Sequence, residues 1–483
     1  MVARSSALSA TVWSASDVVL RQGFQFAISI VLARLLTPED FGIIAMLLLF
    51  AGIAGAFANG GLTWALIQCQ DVTIEDESTV FWLNLLAGSL VALLFWFSGV
   101  WIAAFYEVPV LENLAGLMAV TVVVTAIGGT QQALFSKALN FRPLLVAGAS
   151  AALTSGVVSI WLAWQGYGVW ALAVQALVSA MATTTVVWFA SSWRPRFICS
   201  LASAKRLFGF GGYMLLSSLL DIVYLRFYAI LIGKFYGVRE VGFYTRAETT
   251  SLFPAGIVIG IVGRVTFPLF SHASGDLERL RTSLQLAMRS VALVYAPAMF
   301  GLLAVAEPLV LVLFGKQWLP AVPFLQVLCL TGLFLPLQIL NHHALLALGR
   351  SELHFRLEVL KKVMGISILV SVAGFGAIAI AWGTVLASTL SYLVNTHYSR
   401  KLLAYGFVSQ LRDMLPVLFL SFGMAAIVTV VDYNQVAWSA ATRLFVGVVL
   451  GILIYGVGLL LLGPKWLVAV AGLFVPQRWK RNA

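Results

Sequence analysis

Six arginines, Arg21, Arg226, Arg246, Arg264, Arg289 and Arg443, interrupt stretches otherwise built from Leu, Val, Ala, Phe and Gly. A guanidinium stays protonated in proteins and grips phosphate or carboxylate through paired N–H donors, so its chemistry is anion binding. At mid-bilayer it costs about 2.5–3.5 kcal/mol on insertion scales, which turns such residues toward a protein interior or a wet cavity. Carboxylates at comparable depth are few: Asp17, Asp221 and Glu248. A carboxylate beside an Arg can alternate between paired and protonated states, which makes these three the candidates for coupling to H+ or Na+. Asp17 and Arg21 have the i, i+4 spacing of a same-face pair, static or switching. Asp221 and Arg226, five apart, pair less well. His342 and His343 are candidates for titration, cargo contact or an interhelical hydrogen bond, and Asn84 and Asn341 read as amides that join helices.

The elements that hold these residues are apolar helices. Hydrophobic residues make up 61% of the 483 positions, charged residues 10%, and the mean hydropathy is +0.97. A soluble domain of this composition could not cover its surface with polar groups. Runs of about 20 apolar residues recur from 16–36 to 440–462, and crossing ~30 Å of hydrocarbon takes that length. Their continuity disfavours a barrel. The expectation is an all-α polytopic membrane protein with about fourteen transmembrane helices. Pro254, Pro268, Pro297 and Pro336 are candidate kinks. The N-terminal residues read as a retained lead-in, and Cys69, Cys199 and Cys329 stand singly, without disulfide or metal spacing.

Basic residues fall on the two sides of this pattern unevenly. With the N-terminus inside, twenty Lys and Arg lie on the cytoplasmic side and four opposite, the six embedded arginines completing the 30. That asymmetry predicts N-in, C-in topology. The net charge of +11 therefore reads as topology plus a cationic interior, with no nucleic-acid partner. Trp101, Trp161, Trp164 and Trp193 sit near span ends as interface anchors. The acidic run 71–77 reads as a solvated inner loop, and the tail PQRWKRNA as an anchor to anionic lipid.

An internal repeat divides the chain. LARLLTPEDFG (32–42) aligns with IGKFYGVREVG (232–242), superposing Arg34 on Lys234, Asp40 on Glu240, Gly42 on Gly242 and, further on, Gly60 on Gly260. SKALNFRPLL (136–145) resembles SELHFRLEVL (351–360). These matches predict two pseudo-symmetric six-helix lobes, 1–190 and 208–405, a cytoplasmic linker 191–207, and an appended helix pair with a basic tail, 406–483. No loop is long enough for a catalytic domain. Walker A, HExxH, Cys/His metal clusters and a nucleophile elbow are all missing from the sequence, so no enzyme activity, catalytic residue, cofactor or metal is expected.

LARLLTPEDFGIIAM (32–46), GLTWALIQ (61–68), EDESTVFWLNLLAG (75–88), QQALFSKALNFRPL (131–144), GVREVGFYTRA (237–247), GRVTFPLFS (263–271) and LFGKQWLPAVPFLQ (313–326) together resemble Wzx-type polysaccharide transporters. These are lipid-linked oligosaccharide flippases of the multidrug/oligosaccharidyl-lipid/polysaccharide exporter superfamily, and the resemblance, to the exopolysaccharide or colanic-acid branch, covers roughly 10–405. It implies two six-helix lobes in a V shape, moving undecaprenyl-pyrophosphate-linked oligosaccharides across the bacterial inner membrane for exopolysaccharide or capsule assembly, by alternating access coupled to H+ or Na+. Membrane lipids, a polysaccharide polymerase and export machinery are the implied partners. Many relatives carry a basic residue after the ALIQ segment, where this chain has Cys69. Within that reading the substrate-binding residues are Arg226 and Arg264, then Arg21, Arg246 and Arg289; Arg443 reads as structural or lipid-facing. The alternatives are a drug or cation antiporter, which favours an acidic lumen, and a polysaccharide polymerase or ligase, which needs large outer loops.

Overall fold

A computed structural model describes residues 22–59, 61–69, 71–435 and 437–462. Asp17, Arg21, Gly60 and the basic tail lie outside the described residues, as does the side chain of Arg264. The described residues are 88% helical, and no strand occurs among them. Most of the long helices, such as Pro38–Asn59, Ile74–Tyr106, Val110–Lys137 and Arg142–Trp164, are apolar on every side, the pattern of segments surrounded by lipid and by one another. In that setting a helix satisfies its own backbone polar groups.

The helices are α1 (Gln22–Leu35), α2 (Pro38–Asn59), α3 (Gly61–Gln68), α4 (Ile74–Tyr106), α5 (Val110–Lys137), α6 (Arg142–Trp164), α7 (Val169–Ala190), α8 (Leu201–Tyr236) and α9 (Val238–Ala273). They continue as α10 (Leu277–Ala304), α11 (Ala306–Leu313), α12 (Ala321–Gly332), α13 (Leu335–Ala347), α14 (Ser351–Val372), α15 (Ala377–Leu403), α16 (Phe407–Asn434) and α17 (Ala440–Leu461). Eleven described segments are long and apolar enough to cross a membrane, α12 and α13 together forming one of them. With the shorter α1 and the more highly charged α9 and α14, they fill the places of the fourteen spans expected from sequence.

Side-chain caps set several helix starts. Thr73 and Asp76 form a capping box at α4, Thr37 and Asp40 exchange hydrogen bonds at α2, and Asp276 accepts from the backbone N–H groups of Glu278 and Arg279 at α10. The acidic run 71–77 is thus no solvated loop, because Ile74–Glu77 is the first turn of α4 and Asp76 is buried. Of the proline positions, Pro297 lies inside α10, Pro254 and Pro268 lie within α9, and Pro336 opens α13 after the break at Leu333. That last placement suits a residue with no N–H to donate.

The described residues form two compact units, 23–245 and 246–462 together with Gln22, with the boundary inside α9. In the first unit α4 and α5 pack lengthwise, α7 lies on α5 and α6, and α8 runs along α2, α3 and α4. The segment 191–200, the non-helical part of the expected linker, is strapped to the start of α4. Arg196 N donates to Ser78 Oγ, Ser200 N to Thr79 Oγ1, and Trp82 Nε1 to the Arg196 carbonyl, while the Trp82 ring stacks on Phe197. In the second unit α16 packs on α10, α15 on α12, α13 and α14, and α17 on α11 and α16.

Inside the first unit, the two members of the 200-residue repeat touch reciprocally. A methyl group on Gly42 would lie 2.0 Å from the Val238 carbonyl oxygen, and one on Gly242 would lie 1.9 Å from the Pro38 carbonyl oxygen. Position 42 meets 238 while 242 meets 38, the i-to-j and j-to-i relation of a twofold contact. The repeat-related residues Glu39 and Arg239 pair across this contact at 3.3 Å. Gly42→Ala and Gly242→Ala should each force backbone apart, costing about 1–3 kcal/mol as overpacking does. Thermal unfolding of the purified protein in detergent should show both midpoints lowered, with Gly423→Ala, where nothing lies within 4 Å, unchanged as the control.

Candidate functional site

Each embedded guanidinium with a described side chain is met by a different environment. Arg443, near the start of α17, is buried and grips Asp432 with two hydrogen bonds, Nε to Oδ1 at 2.8 Å and Nη2 to Oδ2 at 2.7 Å; Glu307 lies 3.3 Å from Nη1. This fixes α17 to the end of α16 and the start of α11, in keeping with the structural role read from its position. Arg289 on α10 reaches Asp413 on α16 at 2.6 Å, and the Tyr405 hydroxyl donates to the other oxygen of the same carboxylate at 2.8 Å.

Arg246 is buried on α9. Its guanidinium carbon sits 5.0 Å from the Phe314 ring centre and 5.2 Å from that of Trp318, two fully buried rings at the end of α11 and in the turn after it. This aromatic enclosure attracts a cation and does not place it in headgroups. Arg226, on α8, is half-buried and donates a long hydrogen bond of 3.4 Å to the hydroxyl of Tyr228. The Tyr228 ring stacks on Tyr244 with centroids 4.2 Å apart, so the guanidinium stands at the edge of an aromatic pair. Of the candidate coupling carboxylates, Asp221 is exposed on α8 and Glu248 is half-buried on α9.

The described candidate residues are divided between the two units. Arg226 and Asp221 belong to the first, and Arg246, Glu248 and Arg289 to the second. The sequence offered no signal for the aromatic partners Tyr228, Tyr244, Phe314 and Trp318, which ordinary core packing would equally explain. Lys137 Nζ donates to the Cys69 carbonyl at 2.7 Å, which supplies positive charge where the resemblance leads one to expect a basic side chain.

The amides behave as interhelical joints. Asn84 donates to Thr63 Oγ1 at 3.1 Å. Asn341 and Gln410 exchange hydrogen bonds at 3.2 and 2.9 Å, and the Tyr392 and Ser399 hydroxyls each donate into this pair at 2.7 Å. All four are buried, and they join α13, α15 and α16. A separate cavity of about 560 Å³ lies among α9, α10, α11, α16 and α17, with Pro254, Pro297, Gly301, Met424, Gly447 and Gly451 among its lining residues. Its walls are almost wholly apolar.

The sequence and the fold agree with known proteins. Residues 31–323 match the family model described as polysaccharide biosynthesis protein, and the chain belongs to that family. It is 31% identical over 325 residues to the succinoglycan biosynthesis transport protein ExoT of Rhizobium meliloti (strain 1021), covering 67% of this chain and 66% of the relative. It is 27% identical over 443 residues to the lipopolysaccharide biosynthesis protein WzxC of Escherichia coli (strain K12), covering 90% and 88%. A solved structure of the lipid II flippase MurJ in an inward closed conformation superposes with a TM-score of 0.78 at 13% identity, over 96% of this chain and 99% of that one. The protein is a multi-pass membrane transporter of polysaccharide biosynthesis, not an enzyme.

Removing one member of the Arg443 group checks how much it holds. Asp432→Ala strands a buried cation and should cost about 3 kcal/mol, at the low end for a broken buried pair because Glu307 remains. The double change Arg443→Met with Asp432→Leu should recover most of that loss. Melting in detergent, read as a double-mutant cycle, measures both.

Proposed function

We propose that this protein flips a polyprenyl-pyrophosphate-linked oligosaccharide across the bacterial inner membrane for exopolysaccharide or capsule assembly. The observation that carries the reading is the half-buried Arg226, set on a membrane-crossing helix beside the stacked Tyr228–Tyr244 pair. A pyrophosphate needs a cation that cannot lose its proton, and Arg226 supplies one, positioned by the buried Tyr228–Tyr244 pair. Arg264 and Arg21 are further phosphate contacts in this reading. Arg246 and Arg289 reach cargo only on leaving the aromatic enclosure and Asp413, respectively. The polyprenyl chain needs apolar surface, and the cavity lined by Pro254, Gly301, Met424 and Gly451 provides it without polar groups to desolvate.

Both termini are cytoplasmic in this proposal, and coupling to H+ or Na+ is assigned to Asp17, Asp221 or Glu248. The names of the transport proteins that resemble this chain, and the cationic balance of its embedded charge, favour this reading over a drug or cation antiporter. No covalent step is required. The lipid head moves as a bound anion while the lobes alternate.

Arg226→Ala should lower polymer export roughly ten- to a hundredfold, since a hydrogen bond to a charged group contributes about 1.5–3 kcal/mol. Arg226→Lys should fall between that variant and the wild type. Surface polysaccharide, normalised to membrane abundance of each variant, is the measurement. Unchanged export in both Arg226→Ala and Arg264→Ala counts against a phosphate site there.

A further inference from the structure

The short turn between α13 and α14 assembles a polar cluster that the transport reading does not use. Gly349, with φ +71°, takes the left-handed conformation that reverses the chain after α13. His342 of α13 then meets His354 of α14, their rings stacked with centroids 3.8 Å apart and planes 21° from parallel. Glu358 follows one turn after His354, its Oε1 4.0 Å from His354 Nδ1. One donor atom from each of His342, His354 and Glu358 lies within 4.8 Å of the other two, and all three residues are half-buried. His343 is directed elsewhere. Its Nδ1 lies 2.7 Å from the hydroxyl of Thr266 on α9. Lys361, buried on α14, pairs its ammonium with Glu358.

We propose that His342, His354 and Glu358 form a binding site for a divalent transition-metal cation of the Zn2+ class. Two imidazoles and one carboxylate are a donor set that such borderline ions prefer, and they leave a fourth position for water. Bonds of about 2.0–2.2 Å in a tetrahedron place donor atoms roughly 3.4 Å apart, so closure needs shifts of about an ångström.

Lys361 is the competitor. Its ammonium neutralises Glu358 when no ion is bound, and an entering cation displaces it. The bound ion joins α13 to α14 across their turn, so occupancy stiffens that hairpin whichever cargo the transporter carries.

The full-length protein, purified in detergent with any affinity tag removed and stripped with chelator, is titrated with Zn2+ by calorimetry and with Co2+ by visible absorption. The wild type should bind one Zn2+ per chain and show the intense absorption of tetrahedral Co2+. His354→Gln and Glu358→Gln should each weaken binding at least about tenfold, since each removes one of three ligands. Lys361→Met should tighten it, a gain that damage to the fold cannot mimic. Wild-type binding no stronger than that of His342→Gln/His354→Gln overturns the proposal, as does a Lys361→Met variant that fails to gain affinity.

Discussion

A cation in a lipid-spanning helix persists only where the fold provides something to meet it, and this requirement fixes much of the helix arrangement. Desolvating an ion costs several kcal/mol, and mutual attraction recovers that only when geometry is good and remaining donors are satisfied. The Arg443 group meets the condition with a two-bond grip on Asp432 and a second carboxylate from Glu307. Arg289 does so with Asp413, which is in turn held by Tyr405. Arg246 lies against the faces of two buried rings, Phe314 and Trp318. Three solutions to one electrostatic problem thus tie α17 to α11 and α16, α10 to α16, and α9 to the end of α11.

The same accounting separates structural charge from charge available to a ligand. A guanidinium gripped by two carboxylates has little field left over, because its partners neutralise it locally. Arg226 stands instead at the edge of an aromatic pair, donating a long hydrogen bond to the Tyr228 hydroxyl, whose ring stacks on Tyr244. In the proposed transport cycle a binding site must hold cargo and also let it leave, so its contacts have to open and close on every cycle.

The apolar runs make the helices legible, and eleven of the expected spans correspond to described segments long and apolar enough to cross a membrane, with displaced ends. The charge in LASAKRLF hides the start of α8, although Ser200 caps that helix by accepting from Ser203 N. The burial of Asp76 is not legible from composition, because an acidic loop and an acidic first turn have the same residues. Its capping partner Thr73, three residues before, was the available signal. The repeat was visible as a handful of matched residues, and the structure shows why those survived. Gly42 and Gly242 are positions where backbone touches backbone, so they tolerate no side chain, whereas lipid-facing positions accept any apolar residue. Pairings across helices, such as His342 with His354 and Asn341 with Gln410, left no trace in spacing. Tertiary packing alone decides which turns meet.

The last two helices, which the repeat leaves unmatched, illustrate how polar and apolar contacts divide the work. Apolar packing between helices gains little over packing against lipid tails, so it docks a helix without fixing its register. Register comes from the polar ends. Gln410 sets the start of α16 through Asn341 and Tyr392, Asp413 repeats this one turn later through Arg289, and Arg443 fixes the start of α17 to the end of α16. Tyr455 adds a bond from α17 to the Leu293 carbonyl of α10 at 2.6 Å. With those points fixed, the stretch between them need not be closely packed. Glycines at 301, 447 and 451 leave the apolar cavity open there. A helix pair clamped by hydrogen bonds beside an apolar cavity can admit a hydrocarbon chain there without losing its place in the fold.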